Sequence, residues 1–431
     1  MKKTLLMLAL GAIGLTSCNN AQQATEEHEA YKIVKFENNP YLAEVWWGDD
    51  YDPEAATQMM AKRGSASAAG CTSWRQGQYH GRNIDWTMQP FVSMIIHMPA
   101  GKNVKYASVG VTAGTSVINK DLIDNNEYIP DELKAVAPAF VVDGINEKGV
   151  CINHNIVPYD KTRHPEYEKN GDIFSNMLCR YVLDNCATAK EAVDSLQNMK
   201  VTQGLIALAG DYSHFMISDA ASCYVVEWVN NEFVATEFLD KEGNGTFVSD
   251  KGTAAVMTNY FVAQGEKYGV GTPEFFKAHP CATGVERADT VKKQLAGAKT
   301  VEDNLNICRS VWYKQFCEGK TQWYTENAGL YNWDEKTGKA YWCEGYDEAG
   351  NPINIRWRDD DDVLAAAHDF LASDFQQNYY KTFIEKWNKP VEGNTYWFTQ
   401  HSVVYDVKEL KGYIVVQEGE YSNVAYSFGI K

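Results

Sequence analysis

Hydrophobic and polar residues alternate with a period of two along much of the chain, and this pattern predicts many short β-strands. The predicted strands are 92–98, 104–111, 139–143, 149–155, 214–219, 223–228, 232–236, 254–259, 402–406 and 413–416. Apolar residues recur at helical spacing in 173–183, 188–196, 287–295 and 300–312, and an acidic run at 359–362 opens a further helical pattern. Thr188 with Glu191, and Thr300 with Asp303, are capping signals at two helix starts. Strand blocks separated by helix blocks predict an α+β protein with two stacked, mostly antiparallel sheets covered by helices.

The first 18 residues have the pattern of a secretory signal peptide. A basic start, Met1–Lys3, precedes an apolar run that is too short to span a bilayer. The run ends in Leu15-Thr16-Ser17-Cys18, which resembles a bacterial lipobox with Cys18 as the lipidated residue. We therefore predict an exported lipoprotein of the bacterial periplasm or cell surface, anchored through Cys18 at least before processing. An ordinary signal peptide that contains Cys18 by chance is the alternative.

Residues 19–70 are predicted to be a tether and a pro-segment, ahead of a main domain at 71–431. The tether is polar up to about residue 30, whereas 31–36 and 41–47 are too aromatic for a linker and are expected to pack against the main domain. A run of small residues at 65–70 leads into Cys71.

Composition limits the classes of partner and of cofactor. With 431 residues, 45% of them hydrophobic, the chain can bury a large core. A net charge of −17 argues against binding to nucleic acid or anionic lipid. Ten cysteines in an exported protein permit disulfides. The absence of CxxC, HExxH, EF-hand and phosphate-loop motifs predicts no metal site and no cofactor.

The most informative stretch is a predicted β-hairpin that begins at Cys71 and turns at Gln76-Gly77-Gln78. The returning strand would bring Arg82 and Asp85 beside Cys71. A thiol beside a guanidinium and a carboxylate can serve as a nucleophile, because nearby positive charge favours the thiolate. The structural alternative is a hairpin with a buried cysteine and a surface ion pair.

Several motifs resemble, in order, those of the choloylglycine hydrolase family, which includes bile salt hydrolases and penicillin V acylases, and are similar to those of its acid ceramidase branch. The motifs are CTS at 71–73, HGRNID at 80–85, DGINEKGV at 143–150, YVVEW at 224–228, VMTN at 256–259, GVER at 284–287 and TQHSVVY at 399–405. The resemblance covers about residues 71–430. It implies an N-terminal nucleophile hydrolase with a four-layer αββα sandwich.

The resemblance also implies a catalytic mechanism. Autocatalytic cleavage between Gly70 and Cys71 would give Cys71 a free α-amine, which titrates near pH 8, roughly, and can act as the general base. Asp85 would hold and orient the ammonium form, Arg82 would favour the thiolate, and Arg287 would support the nucleophile electrostatically.

Two asparagines complete the implied site. Asn259 would orient the amine or contribute to the oxyanion hole. The family places an oxyanion-hole asparagine on the strand after NEKG, and a one-residue gap brings Asn155 to that position. Asn153 on the same strand face is the alternative.

The sequence thus predicts a linear amide C–N hydrolase acting on a small N-acyl substrate, such as a conjugated bile acid, an N-acyl amide or a penicillin V-like compound. An inactive, aromatic-rich surface lipoprotein that binds glycan or lipid on the same fold is the alternative. A cysteine peptidase with His80 or His154 as the base is a third hypothesis. Assembly into a homo-oligomer is left open.

Overall fold

The computed structural model describes residues 30–36, 41–47, 51–55, 71–87, 93–112, 137–157, 172–202, 212–229, 232–279, 282, 284–312, 332–334, 339–342, 345–346, 352–353, 356–357, 397–416 and 422–430. The predicted lipobox and the predicted helix after the acidic run at 359–362 lie outside these residues. Among the described residues, no helix is long and apolar enough to cross a membrane.

Two large sheets form the centre of the molecule. In spatial order, the first sheet is β1 (Lys32–Lys35), β22 (Val424–Gly429), β21 (Lys411–Val416), β20 (Trp397–Asp406), β4 (Tyr79–Thr87), β3 (Cys71–Gln76) and β14 (Val256–Met257). The second sheet is β13 (Glu232–Leu239), β12 (Ser222–Val229), β11 (Tyr212–Ser218), β8 (Cys151–Val157), β7 (Val141–Asn146), β6 (Ser108–Thr112), β5 (Ser93–Met98) and β2 (Leu42–Trp46). Within these two sheets the pairings are antiparallel except β1 with β22 and β2 with β5.

Short strands form three further pieces of sheet: β9 (Ile173–Phe174) with β10 (Val201–Thr202); β15 (Asn332–Asp334) with β16 (Lys339–Trp342) and β19 (Arg356–Trp357); and β17 (Gly345–Tyr346) with β18 (Pro352–Ile353). The described helices are α1 (Leu178–Asn185), α2 (Ala189–Gln197), α3 (Val262–Tyr268), α4 (Pro273–Ala278), α5 (Val285–Leu295) and α6 (Val301–Ser310). The 3₁₀ turns are Ala137–Phe140 and Ser175–Met177.

Three apolar clusters show that these elements stack in four layers. Leu178 and Val182 of α1 pack on Ile152 of the second sheet. A central cluster joins residues of the second sheet, such as Val109, to residues of the first, such as Ile414. On the far side, Val291 of α5 and the residues around it pack on the first sheet. The predicted αββα architecture of two mostly antiparallel sheets is confirmed.

Local signals predicted the helix starts well. Thr300 and Asp303 form a reciprocal capping box at the start of α6. At the start of α2, Thr188 accepts a hydrogen bond from the Glu191 backbone at 3.0 Å, whereas the Glu191 carboxylate accepts from Ala187, one residue before the cap. The predicted box at this helix is therefore only half formed.

Other local predictions were wrong at their boundaries. Residues 104–107 are not part of a strand, because the backbone N–H groups of Lys105 and Tyr106 donate to the carbonyl of Asp184 instead of to a neighbouring strand. Residues 139–140 belong to a 3₁₀ turn that contains Pro138, which has no N–H to donate to a sheet. Ile173–Phe174 form a strand rather than the first turn of a helix, and the predicted strand 254–259 is reduced to Val256–Met257.

No disulfide occurs in the described part of the chain. Its six cysteines (Cys71, Cys151, Cys179, Cys186, Cys223 and Cys308) are all free and buried. The other four (Cys18, Cys281, Cys317 and Cys343) lie outside the described residues.

Candidate active site

The hairpin β3–β4 places Cys71 at the start of a strand in the interior of the first sheet. Gly77 occupies the turn with φ of 53°, a left-handed conformation that glycine adopts without strain. Further along, a Cβ on Gly81 would lie 2.4 Å from the Trp74 ring, so only glycine lets the indole cross the returning strand. The resulting register pairs Cys71 with Ile84 and Ser73 with Arg82. The predicted proximity of Cys71 to Arg82 is confirmed.

Strand alternation sends Arg82 and Asp85 to opposite faces of the first sheet, because they are three residues apart. Arg82 contacts the second sheet at Asp143. Asp85 contacts Arg287 of α5 on the helix side. The two groups therefore serve different ends of Cys71 and do not form one ion pair.

Arg82 lies against the thiol and is held by the second sheet. Its Nη2 lies 3.9 Å from Cys71 Sγ and donates to the carbonyl of His154 at 2.9 Å. Its Nη1 donates to the carbonyl of Val142 at 2.7 Å and to Asp143 Oδ2 at 2.5 Å. Burial raises the pKa of the Cys71 thiol, and Arg82 offsets only part of this rise. The arginine acts in the expected direction, but the thiol of the uncut chain is neutral at ordinary pH and needs a base to be activated.

Asp143 neutralises Arg82 between the two sheets. The Tyr405 hydroxyl donates to Asp143 Oδ1 at 2.5 Å, and His401 Nε2 lies 3.6 Å from Oδ2. Burial by itself would raise the pKa of Asp143, but Arg82, His401 and Tyr405 together lower it. The carboxylate therefore stays ionised and keeps the guanidinium in place. Asp143 stands in the quoted DGINEKGV motif, but the sequence reasoning gave it no role.

The backbone nitrogen of Cys71 is held by Asn259. It donates to Asn259 Oδ1 at 3.1 Å, and Arg287 Nη2 donates to the same oxygen at 2.6 Å. Asn259 Nδ2 donates to the carbonyl of Ile156 at 2.8 Å, which fixes the orientation of the amide. Of the two roles predicted for Asn259, this geometry matches orientation of the nitrogen.

Arg287 links the other groups on this side of the first sheet. Its Nη1 donates to the Cys71 carbonyl and to Thr72 Oγ1, both at 2.7 Å, and lies 3.3 Å from Asp85 Oδ2. Thr399 Oγ1 donates to Asp85 Oδ1 at 2.6 Å. Burial raises the pKa of Asp85 to about 6 despite these partners. Asp85 is predicted to hold the ammonium form of the freed Cys71 amine; in the uncut chain its carboxylate contacts Arg287, which in turn donates to Asn259.

Asn155 contacts the strand of Cys71, and its amide is engaged by other groups. Its Oδ1 accepts from Ser73 Oγ at 3.1 Å, and its Nδ2 donates to the carbonyl of Met257 at 3.2 Å. Asn153 instead directs its Nδ2 at His80 Nε2, 2.7 Å away and towards the hairpin turn. Of the two candidates, Asn155 is the one that contacts the strand of Cys71.

Neither histidine proposed as a peptidase base is positioned for that role. His80 pairs with Arg75, four strand positions from the register of Cys71, which corresponds to about 13 Å. The His154 ring lies 5.9 Å from the Phe215 ring in the cluster beside α1. Burial lowers the pKa of each histidine to about 3. The Cys–His dyad hypothesis is therefore wrong for these two residues.

The structure reveals a buried pair behind Asn259 that sequence reasoning missed. His214 Nδ1 and Glu227 Oε1 are 2.8 Å apart, and His214 Nε2 is 2.8 Å from the carbonyl of Thr258. Glu227 also accepts from the backbone N–H groups of Val262 and Ala263 at the start of α3. The pair thus fastens the segment that carries Asn259 to the second sheet. Glu227 stands in the quoted YVVEW motif, but nothing in the sequence connected it to His214.

Residues 71–235 match the family described as "Linear amide C-N hydrolases, choloylglycine hydrolase family". The resemblance to the choloylglycine hydrolase family is confirmed. The matched stretch includes Cys71, Arg82, Asp85 and Asn155, whereas Asn259 and Arg287 lie beyond it.

Solved structures are also similar to the chain. A mutant of conjugated bile acid hydrolase from Clostridium perfringens has 14% identity and a TM-score of 0.36, over 83% of this chain and 92% of that one. Penicillin V acylase from Agrobacterium tumefaciens has 14% identity and a TM-score of 0.29, over 82% of this chain and 78% of that one. No curated protein matches the chain by sequence.

Proposed function

We propose that the chain is a linear amide C–N hydrolase whose nucleophile is Cys71, freed as an N-terminal residue by cleavage after Gly70. The observation that carries this proposal is that both ends of Cys71 have polar partners in a buried site. Its nitrogen donates to Asn259, and its sulfur lies beside Arg82. A structural cysteine needs neither arrangement. The family match also begins at Cys71, which supports a functional start at this residue.

The proposed reaction uses the amine of Cys71 as the base. The thiol proton passes to the α-amine, and the thiolate attacks the carbonyl carbon of the substrate amide. The C–N bond then breaks as the ammonium gives its proton to the leaving nitrogen. Water attacks the resulting thioester and regenerates the thiol. Asn259 keeps the amine next to the sulfur, and Arg287 and Asp85 keep Asn259 oriented.

We propose that the substrate is a small N-acyl compound, such as a conjugated bile acid, an N-acyl amide or a penicillin V-like molecule. The family match supports amide chemistry and leaves the acyl group open.

We further propose that residues 1–18 are a lipoprotein signal peptide, that 19–70 are a tether and pro-segment, and that 71–431 are the catalytic domain. The lipobox at Leu15–Cys18 supports export to the bacterial periplasm or cell surface.

The first experiment is intact mass and N-terminal sequencing of the wild type and of Cys71→Ala. We expect a fragment beginning at Cys71 in the wild type and an uncut, inactive chain in the variant. Cys223→Ala is the matched control, since it removes another buried thiol and should leave cleavage unchanged. An uncut wild type would contradict N-terminal nucleophile activation and favour a binding protein on the same fold. A panel of acyl amides on the cut protein then identifies the substrate class.

A further inference from the structure

The segment that precedes Cys71 supplies one strand to each of the two large sheets. β1 pairs with β22 at one edge of the first sheet, and β2 pairs with β5 at one edge of the second. Further backbone hydrogen bonds extend both pairings, from Lys32 N to the carbonyl of Asn423 at 2.8 Å and from Trp47 N to the carbonyl of His97 at 2.9 Å. We call this segment, residues 31–51, the clamp, because it adds one strand to each of the two sheets.

Side chains of the clamp lie in each of the three apolar clusters that join neighbouring layers. Tyr31 lies in the cluster between the first sheet and its helices, and Leu42 lies between the two sheets. Trp47 and Tyr51 lie in the cluster between the second sheet and α1. All four are at least 92% buried, so departure of the clamp would expose large apolar surfaces to water.

Polar and aromatic contacts fasten the clamp to residues that follow Cys71. The Tyr31 hydroxyl donates to the carbonyl of Leu305 at 3.1 Å, and the Arg309 guanidinium lies 3.9 Å from the centre of the Tyr31 ring. On the other sheet, Glu44 Oε1 lies 2.7 Å from His97 Nε2. None of these contacts involves the Gly70–Cys71 peptide bond.

We propose that residues up to Gly70 remain bound after cleavage as a permanent non-covalent subunit that completes both sheets. This inference rests on the proposed function for the cut itself, in which water adds to the Gly70 carbonyl and the Cys71 nitrogen leaves as an amine. Loss of the clamp would also make β22 and β5 the new sheet edges, and their newly unpaired backbone groups would promote aggregation. Since the clamp continues towards Cys18, the cut frees the catalytic amine without freeing the catalytic domain from a lipid anchor.

The test separates retention from self-cleavage. A recognition sequence for a specific protease is inserted between residues 56 and 70 of Cys71→Ala, and the purified chain is cut and passed over a size-exclusion column. We expect two fragments on a denaturing gel but a single native peak at the elution volume of the uncut chain. Separate native peaks would overturn the inference. An uncut wild type combined with a single peak for the protease-cut variant would contradict only the self-cleavage in the proposed function.

A matched pair of variants checks the cause of retention. Leu42→Ser removes a clamp side chain that is 1% exposed, whereas Ile33→Ser changes one that is 47% exposed. In the cut protein, Leu42→Ser should raise the dissociated fraction at least tenfold, and Ile33→Ser should leave it unchanged. If Leu42→Ser does not fold, Glu44→Ala provides the same comparison with a smaller rise. Equal dissociation of buried and exposed variants would contradict retention through the clamp.

Discussion

Replacing Asp85 by asparagine should make the protein more stable at neutral pH and much less active. Burial raises the pKa of Asp85 from 3.8 to about 6. The higher pKa corresponds to about 3 kcal/mol of unfavourable free energy for keeping the carboxylate ionised in the folded state rather than in the unfolded chain. An asparagine carries no charge and avoids this cost, while its oxygen can still accept from Thr399.

The pH dependence has a definite sign. The pKa of Asp85 is higher in the folded state than in the unfolded chain, so the folded state favours the protonated carboxyl. This protonation contributes fully to stability below about pH 4, and the contribution is lost as the pH rises through about 6. The unfolding free energy of Asp85→Asn minus that of the wild type should therefore increase by about 2 kcal/mol between pH 4.5 and pH 7.5. Urea denaturation of both proteins at several pH values measures this difference.

The activity of Asp85→Asn should fall, although its stability at neutral pH rises. The asparagine cannot act as the negative partner of Arg287, so Asn259 loses its fixed position and the rate should fall by about 100-fold. In the wild type, activity should decrease as the pH falls through about 6, where Asp85 becomes protonated.

Asp184→Asn is the matched control for this experiment. Asp184 is buried on α1 beside Arg180, and burial raises its pKa to about 6 as well. The control should show the same pH-dependent gain in stability and retain activity. A stability difference for Asp85→Asn that does not vary with pH would refute the reasoning about the buried charge.

Three further predictions concern residues around the site. Asp143→Asn should destabilise the fold by about 3–5 kcal/mol in urea denaturation, because it leaves the buried Arg82 charge without its partner; a change below 1 kcal/mol would show that the backbone carbonyls suffice. Glu227→Gln should lower the free energy of unfolding by about 2–4 kcal/mol and slow catalysis, because the amide has one accepting oxygen where the carboxylate has two. Unchanged kinetics would contradict the role of Glu227 in positioning Asn259. Gly81→Ala should lower the free energy of unfolding by about 1–3 kcal/mol, because the added methyl group forces the Trp74 ring to move. An unchanged melting temperature would contradict this close packing.

Much of the candidate site followed from local sequence. The turn at Gly77 and the alternation of the flanking residues predicted the hairpin, and the hairpin brought Arg82 near Cys71. The capping pair at Thr300 and Asp303 marked the start of α6 correctly. These features depend on interactions between residues close in the chain, so the sequence carries them directly.

Tertiary structure decided which partner each polar group found. The sequence predicted that Asp85 lies beside the Cys71 amine. Strand alternation directs its carboxylate to the helix side of the sheet, where it contacts Arg287 of α5. Asp143 and Tyr405 meet across 262 residues, and the pairing of His214 with Glu227 behind Asn259 depends on the order of strands in the second sheet. The aromatic segment before Cys71 was expected to pack on the main domain. That it forms one strand in each sheet depends on β22 and β5, which pair with it in the folded protein. Local patterns determine elements, whereas burial forces each polar group to take whichever partner the assembled layers bring within reach.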